Sequence, residues 1–246
     1  MNREIKIYEN AFLLSDDFAE EFRIKSKQYS RNKKNLNVAI SGGNTPITIF
    51  EILSLHYGNK INWRNIQFYW TDERCVPPDN NDSNYGMTKK FLLDNIKIPE
   101  DNIHRIKGEE GPFGEVSRYS DELLSNVPLI NHFPSLDLII LGLGEDGHTA
   151  SIFPDNLQAM KSKKVCEVTY NSSTRQRRIT LTAKVINNSK NIYFIVTGRK
   201  KAEIVYKILK RKKGYKKFPA SHINPVNGKI NWMLDSYAAA LLNEQK

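Results

Sequence analysis

The stretch Leu136-Asp-Leu-Ile-Ile-Leu-Gly-Leu-Gly-Glu-Asp-Gly-His-Thr-Ala-Ser-Ile-Phe-Pro154 carries a strand, a turn and two reactive side chains in one short run. From Leu136 to Leu141 it is apolar except for Asp137. A run that short, rich in isoleucine and ended by glycine, predicts a strand buried on both faces of a parallel sheet. Gly142, Gly144 and Gly147 then permit a tight turn where a side chain would block the path. Asp146 and His148 fall inside that turn, beyond the carboxyl end of the strand, where open α/β sheets bind their ligands.

Three readings of the turn compete. Its glycines fit the spacing G-x-G-x-x-G of a dinucleotide fingerprint. That fingerprint should open the first βα unit, yet much of the chain precedes it here; His148 also fills the helix start, and Pro154 would end a helix quickly. The second reading is a glycine turn holding a satisfied histidine. The third is catalysis, with His148 carrying a proton near neutral pH. On these residues alone the last two stand level.

Outward from this stretch, short apolar runs alternate with helical spacing. Strands are predicted over 5–8, 36–40, 66–70 and 192–197. Helices are predicted over 11–28, with Phe12, Phe18 and Phe22 at helical spacing, and over 46–57, 85–93, 116–127 and 200–209. Pro46 sits in a first helical turn, where its missing N–H does no harm. No repeat and no Pro/Gly/Ser linker interrupts the pattern, so one domain over 1–246 is expected. The fold class is α/β: an open, mostly parallel sheet with helices on both faces, Rossmann-like in construction.

Composition narrows the function. The chain has 246 residues, 39% hydrophobic, with 11 Phe, 11 Tyr and 3 Trp, enough for a sizeable core. No apolar run approaches a bilayer span, and the first residues lack the apolar core and cleavage site of a signal peptide. Cys75 and Cys166 have neither metal-ligand nor disulfide-framework spacing, which fits a reducing cytosol. A cytoplasmic protein is expected. The net charge of +10 raises the question of nucleic acid. Between Arg199 and Lys217, however, stand ten Lys or Arg and one acid, Glu203, so nearly the whole excess is local. That segment offers only Tyr215 for stacking beyond Lys207 and shows no helix-turn-helix or RNA-binding pattern. It reads as a solvated helix end and loop, with no specific nucleic acid expected.

Two further strand ends carry polar residues. Ser41-Gly42-Gly43-Asn44-Thr45-Pro46 follows one strand and opens a helix; its backbone N–H groups and the helix dipole can face an anion. A plain turn capped by Thr45 is the alternative. A phosphate held here would want cations from elsewhere, and Lys201 and Arg178 can supply them. Trp70-Thr-Asp-Glu-Arg-Cys-Val-Pro77 places Asp72, Glu73 and Arg74 directly off another strand, so at least one can share a crevice with His148. Arg74 can hold phosphate or stabilise an oxyanion, or instead pair at the surface with Glu73 or Asp79. Ser83 and Asn84 can cap the helix that follows.

Together these motifs resemble the 6-phosphogluconolactonase family. The likeness runs through Ser41-Gly-Gly-Asn-Thr-Pro, Trp70-Thr-Asp-Glu-Arg-Cys-Val-Pro and Gly142-Leu-Gly-Glu-Asp-Gly-His-Thr-Ala-Ser-Ile-Phe-Pro. It continues with Arg178-Ile-Thr-Leu-Thr, Gly198-Arg-Lys-Lys-Ala, Pro219-Ala-Ser and Trp232-Met-Leu-Asp-Ser-Tyr-Ala-Ala-Ala. The resemblance implies a sugar-phosphate isomerase type of α/β fold, shared with glucosamine-6-phosphate deaminase, and hydrolysis of 6-phosphogluconolactone without cofactor or metal. The deaminase is the nearest rival. Phe153 stands where it carries an acidic active-site residue, and Arg74 where it carries an aromatic one, so both positions favour the lactonase. Lactonases usually carry prolines before Arg-Ile-Thr-Leu-Thr; this chain has Thr174-Arg-Gln-Arg177, which leaves Arg175, Arg177 and Arg178 all open as substrate contacts.

The chemistry asked of these residues is modest. A neutral His148 takes a proton from water attacking the lactone carbonyl and returns it to the leaving ring oxygen. Asp146 either orients the imidazole or holds a sugar hydroxyl. Arg74 is the first choice for the oxyanion, with N–H groups of the Gly142 to Gly147 turn as the second. Asp72 is a further substrate-binding candidate. Ser41, Gly42, Gly43, Arg178 and Lys201 are assigned to the phosphate, whose binding energy holds the ring in register. The partner is a small sugar phosphate, with no membrane, and the protein is a monomer or homodimer. A deaminase-like isomerase and a non-catalytic sugar-phosphate sensor are the alternatives.

Overall fold

The computed structural model describes residues 3–243. Its strands, in chain order, are β1 (Arg3–Tyr8), β2 (Leu36–Ile40), β3 (Ile66–Trp70), β4 (Asp72–Arg74), β5 (Ile103–His104), β6 (Leu129–Ile130), β7 (Phe133–Pro134), β8 (Leu138–Leu141), β9 (Cys166–Asn171), β10 (Gln176–Leu181), β11 (Asn191–Val196) and β12 (Lys229–Asp235). The helices are α1 (Ala11–Arg31), α2 (Asn44–Tyr57), α3 (Asn84–Phe91), α4 (Pro112–Asn126), α5 (Gln158–Lys161), α6 (Ala183–Ile186), α7 (Ala202–Leu209) and α8 (Ala240–Asn243).

Seven strands form one sheet in the order β1-β12-β11-β8-β2-β3-β5, and every pair in it is parallel. Every residue of β2 and of β8 is buried, which is why their sequences read as unbroken apolar runs rather than alternating ones. Phe18 of α1 meets Tyr193 of β11 edge to face at 5.2 Å, while the adjacent Phe194 stacks on Trp232 of β12 at 4.2 Å. Successive residues of one strand thus enter different packing layers. The open α/β sheet expected from the sequence is the one found.

Several boundaries differ from expectation. Helix α4 starts at Pro112, before the predicted Val116, with Pro in the first turn after Gly111. Helix α7 starts at Ala202, because Arg199–Lys201 form a 3-10 turn first. Helix α2 begins at Asn44, and its N-cap is Gly43 at φ +112°, not Thr45. Phe12, read with the core face of α1, is 51% exposed, while Phe18 and Phe22 are buried. A second sheet, β4-β10-β9, is antiparallel and lies outside the predicted elements. It brings β10 against the residues that leave β3, and so builds one wall of the site.

Candidate active site

The order of strand addition reverses at β2. The chain leaves β2 for β3 and β5 on one side, then returns through β8 on the other. A crevice must open between the carboxyl ends of β2 and β8, because the connections depart in opposite directions. A cleft of about 620 Å³ lies there, and Ser41, Gly42, Gly43, Asp72, Arg74, His148, Arg178 and Lys201 all line it. A hollow of about 820 Å³ beside α4 and β9 is larger but contains none of these residues. The predicted site residues therefore meet in the smaller cleft.

His148 and Asp146 form a bonded pair within the glycine turn. Nδ1 of His148 lies 2.6 Å from Oδ1 of Asp146, and the same oxygen accepts the His148 backbone N–H at 3.1 Å. An ionised carboxylate only accepts, so Nδ1 carries the hydrogen, and in the neutral ring Nε2 keeps its lone pair. Burial works to raise the Asp146 carboxyl, but the hydrogen bond and charge of His148 outweigh it and hold the group below its ordinary value. Phe153 backs the imidazole at 5.0 Å between ring centres. Gly144 is required by this packing: a Cβ there would stand 2.1 Å from Nδ1 of His148 and 2.4 Å from Oδ1 of Asp146. Gly147, at φ +84°, is pressed against Phe218, and its carbonyl accepts the Ala220 N–H at 3.1 Å. The segment after the basic run thereby buttresses the turn.

On the wall built by β4 and β10, strand alternation separates three neighbours. Asp72 and Arg74 line the cleft, whereas Glu73 turns inward. Glu73 accepts the backbone N–H groups of Arg74, Asn84 and Tyr85 at 2.7, 2.8 and 2.7 Å, and so anchors the start of α3. Ser83 is the N-cap of that helix, accepting from Gly86. Asp72 accepts from Ser151 at 2.6 Å and from Thr71 at 3.0 Å, tying the loop after His148 to the end of β3. Arg74 forms no ion pair with Glu73 or Asp79; its Nη1 donates to the Asp82 carbonyl at 2.6 Å. Arg178, its register partner across the β4–β10 ladder, is only 6% exposed. Arg175 and Arg177 are exposed and do not line the cleft. Of the three arginines, the cleft holds Arg178.

At the other end, Thr45 Oγ1 lies 2.9 Å from Thr197 Oγ1, joining the start of α2 to the end of β11. Lys201 reaches the same region, with Glu145 at 4.0 Å. Burial pushes the Lys201 ammonium below its ordinary value, and Glu145 opposes that shift. The Ser41 hydroxyl is turned inward, donating to the Ile140 carbonyl at 2.9 Å and lying 2.6 Å from Thr71 Oγ1. What Ser41 can offer the cleft is therefore its backbone. Gly42 passes so close to Asn84 that a Cβ would fall 1.8 Å from its Oδ1.

Sequence reasoning missed Thr71 and Ser151, which position Asp72, and saw Asn84 only as a cap. Hydroxyl residues after a strand carry no distinguishing pattern, and Asn84 acquires its place through a contact across 42 residues of chain. Among the described residues, no group of three or more His, Cys, Asp or Glu is placed to hold a metal ion. No described helix is long and apolar enough to cross a membrane.

Comparison with known proteins identifies the family. Residues 9–232 match the family described as glucosamine-6-phosphate isomerases/6-phosphogluconolactonase. The 6-phosphogluconolactonase of Haemophilus influenzae is 40% identical over 228 residues, spanning 92% of this chain and 94% of that protein. A crystal structure of devB protein superposes with a TM-score of 0.91 at 36% identity, covering 98% of this chain and 99% of the other. The 6-phosphogluconolactonase of Trypanosoma brucei superposes with a TM-score of 0.87 at 28% identity, covering 98% of each chain. With the polar strand ends gathered at one crevice, and the match running through nearly the whole sheet, this chain belongs to the glucosamine-6-phosphate isomerase/6-phosphogluconolactonase family.

Proposed function

We propose that this protein hydrolyses 6-phospho-D-glucono-1,5-lactone to 6-phosphogluconate, a step of the oxidative pentose phosphate pathway, with water activated by His148. The observation that carries the choice between the family's two activities is the neighbour of the dyad. Phe153, an apolar ring 5.0 Å from the imidazole, occupies the position where the deaminase pattern calls for an acid. A single histidine–carboxylate pair beside an arginine is enough for an activated ester. Amine release and isomerisation ask for further proton carriers.

In the reaction, Nε2 of His148 accepts a proton as the water oxygen bonds to the lactone carbonyl carbon. Asp146 fixes the ring through Nδ1 and stabilises the imidazolium that forms. Negative charge gathers on the former carbonyl oxygen, for which the Arg74 guanidinium, lining the cleft, is the donor. As the tetrahedral species collapses, the bond from the carbonyl carbon to the ring oxygen breaks, and His148 returns its proton to that oxygen. The new acid then ionises to the carboxylate. The phosphate lies against the Ser41-Gly42-Gly43 backbone, at the positive end of α2, with Lys201 supplying the charge. Asp72, with its oxygens already receiving Ser151 and Thr71, holds the loop after His148 and borders the sugar. Two free thiols, one of them buried, suit a cytoplasmic setting.

The test is a lactone-hydrolysis assay run beside a glucosamine-6-phosphate deaminase assay on the same purified protein. Lactone loss well above the spontaneous rate, with no ammonia released, is expected. Ammonia release without lactonase activity would reverse the choice, and tight sugar-phosphate binding with neither activity would mark a sensor.

A further inference from the structure

Arg178 is out of place as a phosphate ligand. It is 6% exposed, its Nε has no hydrogen-bond partner, and among the described residues it forms no salt bridge. The carboxylates around it are engaged elsewhere. Asp72 receives Ser151 and Thr71, Glu73 receives three backbone N–H groups, and Asp82 receives Gln176 at 3.0 Å. Beside it in the ladder stands Arg74, whose Nε is also buried without a partner. Two adjacent guanidinium groups, one of them buried and unpaired, repel each other and are costly to desolvate, unless an anion enters between them and the cleft.

The sheet order says which anion. Lys201 follows β11, whereas Asp72 and Arg74 follow β3, with β8 and β2 between them. At about 4.8 Å per strand, Lys201 and the Arg74–Arg178 pair are anchored about 14 Å apart across the sheet. The Lys201 side has the start of α2 tied to it, through Thr45 and Thr197, while the Gly42-Gly43 backbone follows β2 and lies between the two sides. The loop that follows His148 instead runs to the arginine side, where Ser151 bonds Asp72.

Taking the lactonase reading as its basis, we infer that Arg178 serves the carbonyl end of the substrate with Arg74, and not the phosphate. It holds the oxygen that gathers charge during water attack, and then the carboxylate that hydrolysis leaves on the product. The two ends of the ligand are thereby sorted by the fold: phosphate toward β11 and α2, carbonyl toward β4 and β10.

The experiment compares two competitive inhibitors of lactone hydrolysis. One is 6-phosphogluconate, which has both phosphate and carboxylate; the other is D-glucitol 6-phosphate, which has the phosphate but no carboxylate. Arg178→Gln should weaken 6-phosphogluconate about 10- to 100-fold, the worth of one charge-assisted contact, and leave glucitol 6-phosphate within about twofold. Lys201→Ala should weaken both. Arg178→Lys, which keeps the charge and fills the same space, supplies the same comparison should the glutamine variant fail to fold, with a smaller but still selective loss. Equal weakening of both inhibitors by the Arg178 variants would place Arg178 at the phosphate and overturn the inference. No change in either, in a folded variant, would make it a structural residue and overturn it equally. If the wild type bound neither compound, the sugar-phosphate reading itself would fail, a result distinct from both.

Discussion

Gly144→Ala isolates the dyad from everything else in the cleft. The added methyl would lie 2.1 Å from Nδ1 and 2.3 Å from Cε1 of His148, and 2.4 Å from Oδ1 of Asp146. Contacts that short do not persist, so the ring and carboxylate must retreat by about 1 Å, and a misplacement of that size costs about 100-fold in rate. They are able to retreat: the His148 and Asp146 side chains are 34% and 51% exposed. The clash is therefore relieved by moving the His148–Asp146 pair rather than by unfolding the turn. Gly144 lies outside the residues proposed to hold the phosphate, so kcat should fall about 100-fold while KM changes little. The assay is initial-rate lactone hydrolysis with the spontaneous rate subtracted, alongside thermal unfolding of the same preparation. A folded variant whose kcat stays within about threefold of wild type would refute the claim that this pair's geometry sets the rate.

Lys201→Ala should raise KM strongly for the phosphorylated lactone, and lower kcat insofar as remote binding energy aligns the ring. Unphosphorylated gluconolactone should be a poor substrate that barely registers the change, and equal sensitivity of the two substrates would contradict the phosphate role. Burial pushes the Glu73 carboxyl up to about 7, against the N–H groups of Tyr85, Asn84 and Arg74 that favour its ionised form. Between its ordinary value of 4.5 and that raised value the folded state keeps a proton that the unfolded chain has lost, so its contribution to stability falls as pH rises through this window. Glu73→Gln should flatten the decline in melting temperature between about pH 5 and pH 8, and an unchanged slope would contradict the shift. The basic run from Lys207 to Lys217 should bind DNA or RNA weakly if at all, and lose it by physiological salt through counterion competition; tight sequence-selective binding at that salt would show the segment to be a genuine interface.

How legible the fold was depended on burial. Strands β2, β3, β8 and β11 are apolar along most of their length because both faces are covered, and each was readable from its composition. No strand is predicted over Lys229–Asp235, since Lys229, Asn231 and Asp235 interrupt the run. Asn231 is nevertheless buried, donating to the Ile192 carbonyl at 3.4 Å, and Asp235 receives the Gly198 N–H at 3.1 Å. Strand β10 was hidden in a similar way by Gln176, Arg177 and Arg178. Its pairing with β4 joins residues about a hundred positions apart, which no local pattern can reveal. The site was legible where glycine marked a turn, as at Gly144, and where charge followed a strand, as at Arg74. Which arginine before Ile179 faces the cleft was decided only by the register of β10.

The central claim is that His148 activates water for lactone hydrolysis. The most direct measurement is kcat of His148→Asn, with the spontaneous rate subtracted and the affinity for 6-phosphogluconate measured on the same folded protein. Loss of a general base predicts a fall of about two to four orders of magnitude in kcat, with product affinity and melting temperature close to wild type. Near-wild-type turnover in that variant would contradict the account.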